Sequence, residues 1–167
     1  SISEMESRFV VWGGLKRDTP YTLIGSDNIG GAKQAVSHLL TLGRKRILFI
    51  GDTDLPEIAL RYEGYIQAHG EHGQIVDPAL VMKIGFGNQV KDVIPRLGDA
   101  IKNDLNFDGI FGASDALSLT ALEALRQNDL TVPKDVSVIG YDNIGQASLS
   151  QPALTTVNQN IEEGGEL

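Results

Sequence analysis

Short apolar runs alternate along the chain with longer stretches in which apolar residues recur every three or four positions. Residues 8–12 and 21–24 read as two short strands joined by a Gly/Asp/Pro-containing turn. Residues 30–43 then read as a helix, with Ala32, Ala35, Val36, Leu39 and Leu40 at helical spacing and Gly43 where a C-cap belongs. A buried strand at 47–50 precedes a helix at 56–70, where Pro56 is acceptable in the first turn. A strand at 80–84 and a helix at 90–105, with Pro95 near its start, follow. A strand at 110–111, an amphipathic helix at 115–128 and a strand at 136–139 complete the series. Alternating strands and helices with short connections predict an α/β fold, a parallel sheet flanked by helices with right-handed crossovers.

That architecture gives the stretch 107–156 its interest. In a parallel sheet the loops after the strands gather at one edge, where ligands bind. Ser114, Asp115 and Asp142 all fall on that edge. The two ends fit less well. The first strands arrive without covering helices, and residues 158–167 start a helix that stops too soon, so the chain reads as a piece whose missing part is most of one lobe.

Composition narrows the function classes. A formal charge of −8 argues against nucleic-acid binding by this segment, because phosphate contacts need clustered Lys and Arg. Arg44-Lys45-Arg46 is the one basic cluster, read as solvated charges between a helix end and a strand. With no cysteine, disulfides and thiolate catalysis are excluded, which fits a reducing compartment. No apolar run is long enough to cross a membrane, and no basic, apolar leader precedes the first strand. Catalysis finds little support. Asp52 and Asp54 lack the partner motif of a phosphoryl-transfer site, and Gly85-Phe86-Gly87 lacks the third glycine of a dinucleotide fingerprint. Gly30-Gly31, which could hold an anion at a helix start, reads better as a tight hinge crossing. His38, His69 and His72 show no metal-ligand spacing, the last two lying in a polar loop. No cofactor, metal or catalytic residue is expected.

An ordered set of motifs carries a further reading. Ser26-Asp27-Asn28 opens a helix that closes at Gly43, and Arg46-Ile47 follows. Next come Arg61-Tyr62-Glu63-Gly64-Tyr65, Ser114-Asp115, Val132-Pro133 with Asp135-Val136-Ser137, Gly140-Tyr141-Asp142-Asn143, and finally 152–156. From Phe9 to Gly164 this order resembles the effector-binding domain of the lactose/galactose repressor family of bacterial transcription regulators. The resemblance implies a fold of the type I periplasmic-binding-protein kind, with ligand between two lobes and three chain crossings as the hinge. Residues 1–28 would be a remnant of the N-terminal lobe and the first crossing. Residues 29–157 would form the C-terminal effector-binding lobe, and 158–167 the return crossing. Asp27, Asn28 and Asn158 would be the hinge residues.

The resemblance also nominates ligand contacts, each with a plainer competitor. Arg61 offers a rigid fork of donors to hydroxyls or ring heteroatoms, against a surface salt bridge. Asp142, directly after the strand 136–140, would accept two hydroxyl hydrogen bonds, against capping a turn. Ser114 stands where relatives place a polar ligand contact, against an N-cap for the following helix. Phe86 would stack on a sugar or a purine, against a core position. Gln159 lies at the last crossing, against a plain surface or hinge glutamine. Gly13-Gly14 departs from the family, occupying the place of an acidic residue in several sugar-binding relatives, and Glu57 is a candidate replacement carboxylate.

The helix 115–128 is apolar over a broad arc, with Ala116, Leu119 and Leu122 on one stripe and Leu117, Ala121 and Leu125 on the next. The family uses this helix and the loop near Leu149 for dimerisation, so a homodimer through Leu119, Leu122 and Leu149 is expected. The resulting expectation is a cytoplasmic sensor that binds a small sugar-like effector, or a nucleobase, and meets operator DNA only through an absent N-terminal helix-turn-helix. A periplasmic sugar-binding receptor of a transport system is the alternative.

Overall fold

In the computed structural model, residues 7–12, 21–25, 28–84 and 89–143 are described. Six strands form one sheet in the order β2-β1-β6-β5-β3-β4. They are β1 (Ser7–Trp12), β2 (Tyr21–Gly25), β3 (Ile47–Gly51), β4 (Val81–Lys83), β5 (Gly109–Gly112) and β6 (Ser137–Asn143). The helices are α1 (Asn28–Thr41), α2 (Pro56–Glu71), α3 (Gln89–Lys102) and α4 (Asp115–Gln127). The block β6-β5-β3-β4 is parallel, as its pairings Ile110 with Val138, Leu48 with Ile110 and Ile50 with Met82 show.

Side chains along each central strand alternate between two cores. Ile47, Phe49, Phe111, Ile139 and Tyr141 pack with Ala32, Val36, Leu39, Tyr65 and Ala68 from α1 and α2. Leu48, Ile50, Ile110 and Val138 pack with Val93, Leu97, Leu117, Ala121 and Leu125 from α3 and α4. Burial on both faces is why these strands are unbroken apolar runs in the sequence. Phe49 anchors the first core, its ring 5.0 Å from Tyr62, 5.3 Å from Tyr65 and 5.9 Å from Phe111.

The helices all stop in one way. A residue with positive φ follows each helix: Gly43, Gly73, Asp104 and Asp129. The next N–H then reaches back to a carbonyl five residues earlier: Arg44 to Leu39, Gln74 to His69, Leu105 to Ala100 and Leu130 to Leu125. This closure satisfies the last carbonyls of each helix. It also ends α3 and α4 sooner than the apolar periodicity predicts, because Leu105 is spent on the closure rather than on another turn. Aspartate tolerates the left-handed region less well than glycine does. Asp129→Gly should therefore stabilise the fold by about 0.5–1 kcal/mol, a rise of roughly 1–4 °C in melting temperature on thermal unfolding.

Two boundaries differ from expectation for physical reasons. Pro78–Leu80 forms a 3₁₀ turn capped by the Asp77 side chain, which accepts from the Ala79 N–H, so β4 starts one residue late. β6 runs on through Asn143 because β1 lies antiparallel beside it, with Phe9 opposite Tyr141 and Arg8 opposite Asp142. Asp142 thus sits inside a strand, not in a loop after it.

The basic cluster is also tied down. Arg44 donates to the Pro133 carbonyl at 2.6 Å, and Arg46 pairs with Asp77 at 3.2 Å. The Asp108 carboxylate accepts from the Lys45 and Arg46 N–H groups. These contacts knit together the amino ends of β3, β5 and β6, leaving the opposite edge for ligand chemistry.

Candidate functional site

The strand order reverses between β3 and β5: β4 lies on one side of β3, and β5 with β6 on the other. Loops leaving neighbouring strands in opposite directions open a crevice at such a point. After β3, the Asp52 side chain accepts from the Asp54 N–H at 3.0 Å while its carbonyl accepts from Leu55. This turn consumes the buried Asp52 and launches α2 at Pro56. Among the described residues, no three His, Asp or Glu side chains gather where they could hold a metal ion.

Arg61, on the second turn of α2, reaches the carboxyl end of β5 at this point. It is only 8% exposed. Its Nε donates to Asn28 Oδ1 at 2.9 Å, and Nη1 donates to the Ala113 carbonyl at 2.6 Å. Its Cζ lies 3.2 Å from the centroid of the Tyr141 ring, a cation–π arrangement. The Tyr141 hydroxyl donates to the same Asn28 oxygen at 2.8 Å. One guanidinium thus gathers the start of α1, the end of β5 and the strand β6. The Asn28 oxygen, the Ala113 carbonyl and the Tyr141 ring hold it in this orientation.

Gly64 makes the arrangement possible. A Cβ there would lie 2.4 Å from the Ile29 carbonyl oxygen and 2.8 Å from Lys33 N, both backbone atoms of α1. Only glycine lets α1 and α2 approach closely enough for Asn28 to reach Arg61. One residue on, the buried Tyr65 hydroxyl donates to the Ile47 carbonyl at 2.6 Å, pinning α2 to β3.

The other nominated residues fall out as follows. Ser114 caps α4, its Oγ accepting from the Leu117 N–H at 3.4 Å, while its carbonyl accepts from the Ser118 N–H and hydroxyl. It sits beside Ala113, at the same strand end that Arg61 contacts. Asp142 follows Tyr141 in β6. Asn28, expected as a hinge residue, is the first residue of α1 and the shared acceptor for Arg61 and Tyr141. Glu57 lies in the first turn of α2, exposed, rather than in a loop. Leu119 and Leu122 are half-buried against the α3–α4 core. Asp27, Phe86, Leu149, Asn158 and Gln159 lie outside the described residues. The partnership of Asn28 and Tyr141 with Arg61 was not read from the sequence. The nearest signal was their presence in two of the quoted motifs.

His69 is buried in α2, not in a polar loop. Its Nδ1 lies 2.8 Å from the Tyr65 carbonyl and its ring packs edge-on to Tyr65. Burial holds its pKa below the ordinary 6.5, with the hydrogen bond to Tyr65 opposing and His72 reinforcing that shift. Burial lowers His38 likewise. A base with a lowered folded pKa stays neutral while the unfolded chain takes up a proton. The stability it contributes is complete above pH 6.5 and declines as pH falls toward the lowered value. Unfolding free energies from urea titrations should accordingly fall between pH 7.5 and 5.5, by at most about 1.4 kcal/mol per pH unit for each histidine, and His69→Leu should flatten the slope.

Residues 36–167 match the periplasmic binding protein-like domain family. The chain is 34% identical over 157 residues to the HTH-type transcriptional regulator CelR of Thermobifida fusca, covering 91% of this chain and 45% of that protein. The chain belongs to the periplasmic binding protein-like domain family, and the relatives it matches are LacI-family transcriptional regulators. The repressor CytR of Escherichia coli is 34% identical over 135 residues, covering 80% of this chain and 39% of that protein. Among solved LacI-family structures, the CelR–cellobiose complex matches with a TM-score of 0.61 at 33% identity, over 67% of this chain and 34% of that one. An Enterococcus faecium regulator with bound ribose matches with a TM-score of 0.63 at 26% identity, over 75% of this chain and 46% of that one. The chain spans about half the length of the curated relatives it matches. Among its described residues no helix is long and apolar enough to cross a membrane.

Proposed function

We propose that this chain is the effector-sensing part of a bacterial DNA-binding regulator, which binds a small sugar-like molecule or nucleobase in a cleft between two lobes. The observation that carries this reading is a buried arginine at the reversal point of the sheet, held by Asn28, Ala113 and Tyr141. A desolvated, pre-oriented guanidinium suits a ligand rich in hydroxyls or ring heteroatoms. CelR with cellobiose and the ribose-bound regulator are similar proteins whose ligands belong to that chemical class.

In this reading residues 29–157 form the C-terminal lobe. Residues 1–28 belong with the N-terminal lobe and first crossing, and 158–167 with the return crossing. β1 pairs antiparallel with β6, the edge strand of the C-terminal lobe. Arg61, Ser114, Asp142, Phe86 and Gln159 contact the effector, with Asp27, Asn28 and Asn158 at the hinge. Leu119, Leu122 and Leu149 contribute to a two-fold dimer surface. The protein works in the cytoplasm, performs no catalysis, and meets operator DNA through a helix-turn-helix outside this chain. Effector binding shifts the balance of lobe orientations, which requires different affinity for the two states.

The test is a thermal-shift screen of the intact regulator against pentoses, hexoses, cellobiose and other disaccharides, and nucleobases. A bound compound should raise the melting temperature and change operator affinity. Asp142→Ala should reduce that response at least tenfold with the fold intact. A compound that stabilises the regulator without altering operator binding would favour the transport-receptor alternative.

A further inference from the structure

We infer that Asn28 is a positioning residue for Arg61, and that through it the start of α1 is coupled to the orientation of the guanidinium in the effector site. The inference rests on the effector reading above and adds a residue role to it. Asn28 Oδ1 is a double acceptor, taking Arg61 Nε at 2.9 Å and the Tyr141 hydroxyl at 2.8 Å. Those two donors also touch each other, with Arg61 Cζ 3.2 Å from the Tyr141 ring centroid. The result is a closed triangle of three side chains from α1, α2 and β6. Nη1 on the Ala113 carbonyl adds a fourth fixed point at the end of β5.

Each vertex constrains a different freedom. The Tyr141 ring fixes the plane of the guanidinium. The Ala113 carbonyl fixes its reach. Asn28 fixes its rotation within that plane, because Nε–H points along a single direction. Asn28 is also the first residue of α1, so a rotation or shift of that helix start moves the Oδ1 acceptor relative to Arg61. Gly64 reinforces the linkage, since its contact with the Ile29 carbonyl leaves α1 and α2 no gap in which to slide independently. A conformational change arriving at the start of α1 therefore reaches the guanidinium through the Asn28 Oδ1 that accepts from its Nε–H.

The test pairs a spectroscopic signature with binding. In ¹⁵N-arginine-labelled chain, the Arg61 Nε–H should give a slowly exchanging resonance, assigned by its loss in Arg61→Lys. Asn28→Ala should speed its exchange at least tenfold, Asn28→Asp should restore slow exchange, and Tyr141→Phe should give an intermediate value while keeping the ring. In the intact regulator, titrated with the same panel of saccharides and nucleobases, Asn28→Ala should weaken the bound compound at least tenfold, with Asn28→Asp recovering most of the loss. Unchanged Nε–H exchange in Asn28→Ala overturns the clamp itself. Faster exchange with unchanged affinity leaves the clamp but overturns its positioning role. If no compound binds the wild-type regulator while the Nε–H behaves as described, the effector reading fails and the positioning role goes with it. If Asn28→Ala does not fold, the comparison of Asn28→Asp with Tyr141→Phe decides by the same two measurements.

Discussion

Gly64→Ala should destabilise the chain by about 1–3 kcal/mol, whereas Gly70→Ala on the same helix should stabilise it by about 0.5–1 kcal/mol. Alanine is the better helix former at both positions, so propensity alone predicts a gain twice. Space decides otherwise. A Cβ at Gly70 meets nothing within 4 Å, but one at Gly64 would come within 2.4 Å of the Ile29 carbonyl oxygen and 2.8 Å of Lys33 N. Both are backbone atoms, so no side-chain rotation relieves the overlap and α1 must move off α2. The separation would also lengthen the Asn28–Arg61 bond, so Gly64→Ala should impair any effector response beyond its effect on stability. Urea unfolding followed by circular dichroism would measure both variants. Two stabilising substitutions would mean that the helices do not pack this closely.

The same contrast shows what the sequence could and could not reveal. Ile47, Leu48, Phe49 and Ile50 read as a strand because both faces are covered, and Gly43 marked a helix end because it accepts positive φ. Such features depend on a few adjacent residues. Asp104 and Asp129 closed helices in the same manner without an obvious mark, since aspartate fits many local roles. The partners of Arg61 were out of reach. Asn28 lies 33 residues before it, and Tyr141 is brought alongside by a different strand. Gly64 stood in a quoted motif, but its reason is a neighbour's carbonyl, which no local pattern displays. The placement of Asp142 inside β6 likewise depended on β1 arriving from the far end of the chain. Strand and helix were written locally, whereas the site arises from long-range contacts.

Arg61→Lys should then separate the charge of this site from its geometry. Both side chains are cationic, so long-range attraction for a polar ligand survives the change. Lysine, however, carries one compact ammonium on a flexible stem and cannot reproduce a planar fork. It cannot at once satisfy Asn28 Oδ1 and the Ala113 carbonyl and lie flat on Tyr141 as arginine does. In the intact regulator, losing one oriented charge-assisted hydrogen bond to the effector amounts to about 1.5–3 kcal/mol, or roughly 10- to 150-fold in affinity. The fold should suffer less, because the lysine stem still fills much of the channel beside Tyr141. Isothermal titration with the compound found in the screen, alongside thermal unfolding of the same variant, distinguishes the two effects. Weakened binding with a nearly unchanged melting temperature would place the guanidinium fork, not merely its charge, at the effector. Equal affinity for both proteins would remove Arg61 from the contact set and leave it as the bolt joining α1, α2 and β6.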